Sequence, residues 1–152
     1  MPKAKTTRNP TDAMFRAFAD RTRLRILSIL DGSESCVGDI VDTLQIEQPK
    51  VSRHLAYLRR AGLVVVRKAG LWSYYSLATA GDRFHQKLLE CLSCCFQDVG
   101  QIRIDRARAK KLFASGGCCP RPGGPDGKQK ARVRRRNASN TISSTPSAPA
   151  PR

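Results

Sequence analysis

Apolar residues in the N-terminal part of the chain recur at helical spacing and are separated by short polar breaks, which predicts four helices. The first is expected to begin near Thr11 and the second near Arg23. The third is expected from about Val37–Leu44. The fourth is expected to carry Pro49 in its first turn, where a missing N–H costs nothing, and to end before Gly62.

Two short runs rich in β-branched and aromatic residues follow. Residues 63–67 and Trp72–Leu77 are expected to form strands joined by a turn. A longer helix is expected over residues 81–97, and its apolar face is too extended for one small domain to cover. The pattern therefore predicts a mainly α-helical fold with a small β-hairpin, assembled as a homodimer through its terminal helices.

Composition divides the chain into three parts. Residues 1–10 are expected to form a mobile basic arm, residues 11–115 one folded domain, and residues 116–152 a disordered basic tail rich in Gly, Pro and Ser. No stretch suits a membrane span or a secretory signal. We therefore expect a cytoplasmic protein with no membrane partner.

The net charge of +16 favours a polyanionic partner. Residues 116–152 hold eight basic residues and one acidic residue, so +9 of the charge remains on residues 1–115. The folded part is thus basic in its own right, and double-stranded DNA is the expected partner.

A short helix, a tight turn and a helix ending in basic residues form a helix-turn-helix, whose second helix enters the major groove. Val51, Leu55 and Leu58 make the inward stripe of that second helix. Its outward polar residues can bond to base edges, and two residues of the hairpin are placed for phosphates. The expected DNA contacts are Gln48, Lys50, Ser52, Arg53, Arg67 and Lys68. A small helical domain with a solvated basic face is the alternative, but the order of helices and hairpin disfavours it.

Four segments resemble, in order and spacing, the ArsR/SmtB family of metal- and metalloid-responsive repressors, in its arsenic-sensing type. Residues 17–27 (AFADRTRLRIL) are similar to the family's A-L-A-D-P-T-R-L-R-I-L segment. Residues 48–55 (QPKVSRHL) resemble its Q-x-x-V-S-x-H-L recognition helix. Residues 58–64 (LRRAGLV) resemble L-R-x-A-G-L-V, and residues 74–77 (YYSL) resemble the end of its wing. The resemblance covers about residues 11–97.

The resemblance implies a winged helix-turn-helix homodimer that binds an imperfect palindrome in operator DNA and represses until a metal or metalloid binds. It implies no enzymatic activity, and it adds His54 to the expected DNA contacts. Two positions depart from the family pattern. Arg21 stands where the family usually has proline, and Leu71 stands where the wing often has arginine, which weakens one expected minor-groove contact.

Six cysteines are the candidate sensor. Two pairs are adjacent in sequence, and neighbouring residues rarely meet disulfide geometry. Clustered thiols, kept reduced in the cytosol, indicate a soft metal, a metalloid or redox sensing. The cysteines are Cys36, Cys91, Cys94, Cys95, Cys118 and Cys119.

Two of the family's sensor sites look incomplete here. One uses C-V-C at the start of the third helix, but this chain has Cys36, Val37 and Gly38, so we expect Cys36 to pack as a lone small residue. The other binds zinc through Asp and His on the last helix. Asp82 and His85 lie there, but no second His follows.

Cys91, Cys94 and Cys95 fall within an arc of roughly 100° on the predicted last helix. Three thiolates without histidine or carboxylate favour trivalent arsenic as the inducer, as arsenite or methylarsenite, with antimonite as a related ligand. No organic cofactor is expected. Cys118 and Cys119 could complete a site with Cys94 and Cys95, could capture arsenic alone, or could be idle.

Three alternatives stay open. The same fold could sense cadmium, lead, zinc or thiol oxidation. Cys91 and Cys94 also have the spacing of a thiol redox motif, but that motif usually opens a helix of a βαβ fold, so an enzyme is not expected. The third alternative is an architectural DNA-binding protein. The basic tail favours it and adds salt-sensitive affinity for DNA.

Overall fold

The computed structural model of the protein describes residues 10–119. Their elements are α1 (Pro10–Phe18), α2 (Arg21–Leu30), β1 (Ser35–Cys36), α3 (Val37–Leu44), α4 (Gln48–Arg60), β2 (Val64–Ala69), β3 (Trp72–Leu77), α5 (Arg83–Cys94) and α6 (Gly100–Ala114). Residues 1–9 of the predicted arm and residues 120–152 of the predicted tail lie outside the described residues. No helix in the described range is both long and apolar enough to cross a membrane.

The ends of the helices follow from local capping. α2 begins at Arg21, two residues earlier than predicted, because Asp20 is its N-cap. The Asp20 carboxylate accepts a hydrogen bond from the Arg23 N–H at 2.9 Å and so satisfies a donor that a helix start leaves unpaired. α4 is followed by Gly62 with φ +74°, a left-handed conformation that glycine adopts without a Cβ penalty.

The hairpin belongs to a three-stranded sheet of order β1-β3-β2. β2 extends beyond its predicted end, so only Gly70 and Leu71 connect the two strands of the wing. β1 was not predicted. It pairs antiparallel with β3 and places Cys36 opposite Tyr74. The sheet therefore holds Cys36 immediately before α3.

The core is shared by α2, α3, α4 and the start of the hairpin. The predicted inward stripe of α4 is confirmed, since Val51, Leu55 and Leu58 are each at most 1% exposed. Burying each such side chain contributes about 1.5–3 kcal/mol, so the stripe fixes the rotation of α4. Its main partners are Ile26, Leu27, Leu30, Ile40, Leu44, Leu63 and Val64.

The predicted helix over residues 81–97 is present as α5, and after a break residues 100–114 form a further helix, α6. α5 is capped by Asp82, whose carboxylate accepts the His85 N–H at 2.7 Å. α6 packs on α2 and α3, where the Arg25 guanidinium lies 2.6 Å from the fully buried Asp105 carboxylate. α6 is therefore part of the folded unit.

The chain turns back to the start of α3 after α6. The Gly117 N–H donates to the Leu112 carbonyl at 2.9 Å, and the Cys118 N–H donates to the buried Asp39 carboxylate at 2.7 Å. Residues 116–119 belong to the same compact unit as the helices. Within the described residues, the compact unit therefore continues past residue 115 as far as Cys119.

Candidate DNA-binding surface and cysteine clusters

The turn between α3 and α4 is held by backbone hydrogen bonds at both ends. Gln45 ends α3 in the left-handed conformation, with φ 56°, and its N–H donates to the Val41 carbonyl at 2.9 Å. The Glu47 carbonyl accepts from the N–H groups of Lys50 and Val51, each at 3.1 Å. These contacts set the angle between the two helices, as a helix-turn-helix requires.

The face of α4 opposite its buried stripe is polar. Gln48, Lys50, Ser52 and Arg53 are all exposed there. This is the face that the second helix of a helix-turn-helix presents to the major groove. Glutamine and arginine in such positions can form paired hydrogen bonds to purine edges.

His54 is placed differently from the other predicted contacts of α4. Its side chain is 16% exposed, and its Nδ1 lies 3.8 Å from the Asp20 carboxylate. Burial lowers the pKa of His54 below its usual value, and this outweighs the opposing effect of Asp20. The nearby cations Arg23, Lys50 and Arg53 lower this pKa further. His54 is therefore mainly neutral at pH 7 and links α4 to the N-cap of α2.

The predicted phosphate contacts of the wing, Arg67 and Lys68, are both exposed on β2. The Arg67 guanidinium lies 2.6 Å from the Glu34 carboxylate and 5.1 Å from the centre of the Tyr74 ring. Its hydrogen bond to Glu34 raises the pKa of Arg67, so the side chain stays charged. Leu71 at the tip of the wing is 99% exposed, which leaves that tip without a cation.

The predicted sensor residues Cys91, Cys94 and Cys95 lie at the end of α5. The Cys94 and Cys95 sulfurs are 3.3 Å apart, and both residues are exposed, whereas Cys91 is half-buried. A hydrogen bond with Cys95 raises the pKa of the Cys94 thiol. Within the part of the chain that the structure describes, the Cys91 sulfur does not join the other two in a group within 4.8 Å. The structure thus offers a dithiol here, which Cys91 can complete only by moving.

Cys36, Cys118 and Cys119 form a second cluster, which the sequence pattern did not predict. Their sulfur atoms all lie within 4.8 Å of one another. The Cys118 sulfur is 3.5 Å from that of Cys36 and 3.4 Å from that of Cys119. Cys36 and Cys119 are bonded as a disulfide.

This cluster corrects two expectations. Cys36 does not pack as a lone small residue, because Cys118 and Cys119 lie beside it. Three possibilities were open for Cys118 and Cys119, and none of them included this contact with Cys36. The expectation of reduced thiols is also wrong for Cys36 and Cys119. Poor geometry between adjacent cysteines excludes a bond within a pair, but it does not exclude one between Cys119 and a cysteine far away in the sequence.

The surroundings of the second cluster are tightly packed. The Cys36 sulfur caps α3 by accepting the Asp39 N–H at 3.4 Å. Burial, together with the Asp39 carboxylate, raises the pKa of the Cys118 thiol to about 12. A Cβ atom added at Gly38 would overlap the Cys118 sulfur. The absence of a side chain at position 38 therefore makes room for this third sulfur.

Residues 20–66 match the model of the bacterial regulatory protein, arsR family. The chain is 40% identical over 92 residues to the arsenical resistance operon repressor of Escherichia coli (strain K12), covering 60% of this chain and 79% of that protein. It is 34% identical over 88 residues to the arsenical resistance operon repressor of Bacillus subtilis (strain 168), covering 57% and 82%. It is also 37% identical over 81 residues to the transcriptional activator HlyU of Vibrio cholerae, covering 53% and 75%.

The solved structure of HlyU from Vibrio cholerae N16961 is similar to this one, with a TM-score of 0.51 and 30% identity over 58% of this chain and 89% of that one. The winged helix-turn-helix fold expected from the sequence is confirmed, with β1 as an added third strand. Proteins of the matched arsR family regulate transcription. The helices, the wing and the extent of the match to the Escherichia coli protein together show that the chain belongs to the arsR family of bacterial regulatory proteins.

Proposed function

We propose that the protein is a metalloid-responsive transcriptional repressor, which binds operator DNA and leaves it when trivalent arsenic binds cysteine thiolates. The observation that carries the DNA-binding part is the division of α4 into a buried apolar stripe and an exposed polar face. Two relatives named arsenical resistance operon repressors support the arsenic part. Clustered thiols are the soft ligands that such a metalloid prefers.

The proposed DNA-bound form is a homodimer on an imperfect palindrome. α1 and α5 both have an apolar side, and Phe15 of α1 is 55% exposed although its ring lies against Phe84 of α5, with centroids 5.1 Å apart. An exposed aromatic residue next to a partly buried one suits a two-fold contact between copies. Two copies of α4 can then enter successive major grooves.

The proposed sensor comprises Cys91, Cys94 and Cys95. Arsenous acid condenses with three thiols to give one As(SR)₃ group and three water molecules, so each As–O bond is replaced by an As–S bond. Binding at the end of α5 would favour one arrangement of the two subunits and change the separation of the two α4 helices. The two arrangements of the dimer would differ in DNA affinity, and this difference couples arsenic binding to DNA release. We place this activity in the cytoplasm, where the free thiols of Cys91, Cys94 and Cys95 would stay reduced and operator DNA would be found.

Thiol oxidation is a second candidate signal, and the disulfide between Cys36 and Cys119 favours it. A hydroperoxide oxidises two thiols to one disulfide. Hydrogen peroxide is thereby reduced to two water molecules, and an organic hydroperoxide to one alcohol and one water molecule. In this alternative, the bond between the segment after α6 and the start of α3 would be the event that changes DNA affinity.

The experiment is a release assay on a labelled DNA fragment from upstream of the protein's own gene. The reduced full chain is bound to the fragment and titrated with arsenite, methylarsenite, antimonite, cadmium, lead, zinc and hydrogen peroxide while fluorescence anisotropy is followed. We expect release by the trivalent metalloids at the lowest concentrations. Release by peroxide alone would support the second candidate, and the absence of release by any metalloid would contradict the proposed inducer.

A further inference from the structure

We infer that Cys36, Cys118 and Cys119 form a separate three-thiol site for trivalent arsenic, which ties the segment after α6 to the first helix of the helix-turn-helix. The inference rests on the proposed function for the identity of the ligand. It concerns different residues, on different elements, from the cysteines of α5.

The sulfur atoms of the three cysteines lie close together. They all lie within 4.8 Å of one another, and the Cys118 sulfur is within 3.5 Å of both others. In the described residues, this group of potential ligands contains sulfur only. The nearby Asp39 carboxylate accepts the Cys118 N–H at 2.7 Å, so it already has a structural role. Three thiols without a fourth ligand suit trivalent arsenic better than zinc, which takes four.

Two glycines make the close approach of the segment possible. At Gly38 a Cβ would overlap the Cys118 sulfur, as described above. At Gly117, which has φ +67°, a Cβ would lie 2.9 Å from the Asp39 carboxylate. Gly117 and Cys118 therefore pack closely against the start of α3, and the missing side chain at Gly38 leaves the space that the third sulfur occupies.

Polar contacts of α6 bring this segment to α3. Besides the pairing of Arg25 with Asp105, the Arg106 guanidinium lies 2.8 Å from the Asp31 carboxylate. The Arg108 guanidinium donates to the carbonyl of Thr43 near the end of α3 at 2.7 Å. These contacts hold the middle of α6 against α2 and α3. The meeting of the cysteines consequently follows from the packing of α6.

The chemistry has two balanced steps. A cellular thiol reductant first converts the bond between Cys36 and Cys119 to two thiols and becomes a disulfide itself. Arsenous acid then condenses with these thiols and that of Cys118, releasing three water molecules. The disulfide and the arsenic group are mutually exclusive because both use the same two sulfurs. Oxidation thus closes this site, and arsenic occupies it only in the reduced protein.

The test uses the full chain in which Cys91, Cys94 and Cys95 are all replaced by serine, reduced with a phosphine. Only the three cysteines of the proposed site then remain. Arsenite is added, and the thiols that stay reactive towards a thiol-specific dye are counted, together with arsenic bound per chain by native mass spectrometry. We expect one arsenic and three protected thiols per chain. No protection in this parent chain would overturn the inference.

The discriminating variant is Gly38→Ala in the same background, because it keeps every thiol and only fills the space of the Cys118 sulfur. Alanine is a better helix former than glycine, so the backbone of α3 is not weakened. We expect two protected thiols and binding weaker by at least about tenfold, since one of three sulfur ligands is lost. Gly100→Ala is the matched control, because a Cβ there meets nothing within 4 Å, and it should bind like the parent.

Equal binding by the Gly38→Ala and Gly100→Ala chains would contradict the inference. If thermal melting shows that Gly38→Ala has unfolded, Cys119→Ser takes its place. Its arsenic bound per chain should fall at least about tenfold at the arsenite concentration that half-fills the parent, and undiminished binding would contradict the inference. The two proposals fail separately. Protection of Cys36, Cys118 and Cys119 with no release of DNA from the wild-type chain, which keeps the thiols of α5, contradicts arsenic-dependent repression. Arsenite-dependent release without protection of these three thiols contradicts this site alone.

Discussion

Arg25 of α2 donates two hydrogen bonds to the buried carboxylate of Asp105 in α6, one at 2.6 Å and one at 2.9 Å. The Asp105 side chain is fully buried, and that of Arg25 is 14% exposed. Arg25 also donates to the Leu44 carbonyl at the end of α3, at 3.0 Å. This one guanidinium therefore joins three helices, and α6 depends on it for its position.

Asp105→Asn should destabilise the fold strongly. The substitution preserves size but leaves the Arg25 charge buried without its counter-charge, which typically costs about 3–5 kcal/mol. Urea unfolding followed by circular dichroism measures the effect. Glu90→Gln is the control, since the Glu90 ion pair with Lys87 is exposed on both sides and its loss should change the unfolding free energy little. Equal stability of the two variants would contradict the assigned role of Asp105.

Arg53→Ala should lose operator specificity, and Lys68→Ala should lose general affinity. Arg53 is exposed on the polar face of α4, and one paired contact to a base discriminates by about 1–3 kcal/mol. Lys68 of the wing is placed for phosphate, so its loss should weaken operator and scrambled DNA alike and reduce the slope of log affinity against log salt by about one.

Fluorescence anisotropy with both duplexes at several salt concentrations separates these effects. Arg103→Ala provides the control, because Arg103 is exposed on α6 and its removal changes the net charge equally. If Arg53→Ala weakens binding to both duplexes by the same factor, Arg53 binds phosphate rather than bases.

The elements of the fold that are determined by residues close together in the sequence could be predicted. α3 and β3 have the predicted bounds, because a helical stripe and a short run rich in aromatic residues are local patterns. β1 was missed since a strand of two residues has no periodicity of its own. The break between α5 and α6 was missed because the apolar pattern continues through Phe96, which packs against the core.

The second cysteine cluster could not be predicted because it depends on the path of the chain after α6. Cys36 and Cys119 are separated by 83 residues, and their meeting requires α6 to lie on α2 and α3. One clue was present in the sequence. Gly38 stands where a second thiol of the helix-start motif would be, and the structure fills that space with the sulfur of Cys118.

Leu71→Arg should strengthen DNA binding. Leu71 lies at the tip of the wing and is 99% exposed, so its replacement leaves no cavity and breaks no packing. A cation there can reach the negative potential of the minor groove, and the salt slope should rise by about one. Leu71→Gln is the uncharged control. Unchanged affinity and slope in the arginine variant would show that the tip of the wing does not approach DNA.

The protein should lose stability as the pH falls below 6.5, in part through His54. Because burial lowers the pKa of His54 in the folded chain below its ordinary value of 6.5, the unfolded chain takes up this proton first, and protonation favours unfolding. The groups facing His54 are Asp20, Arg23, Lys50 and Arg53.

The urea midpoint of the wild type should thus fall between a buffer above pH 6.5 and one below it. His54→Gln removes this titration and should show a smaller fall. A steeper fall in the glutamine variant would mean that the pKa of His54 is raised rather than lowered.

Cys94→Ser combined with Cys95→Ser should desensitise DNA release to arsenite without changing DNA affinity in its absence. Both side chains are exposed at the end of α5, so serine replaces them without loss of core packing, and α4 is untouched. In the release assay with reduced protein, we expect the arsenite midpoint to rise by about tenfold or more, because two of the three proposed sulfur ligands are lost. Ser93→Ala serves as a neighbouring control and should keep the wild-type midpoint. Normal release by the double variant would remove the α5 thiols from the sensor, and a simultaneous loss of release in Cys118→Ser would assign the response to the cluster at α3.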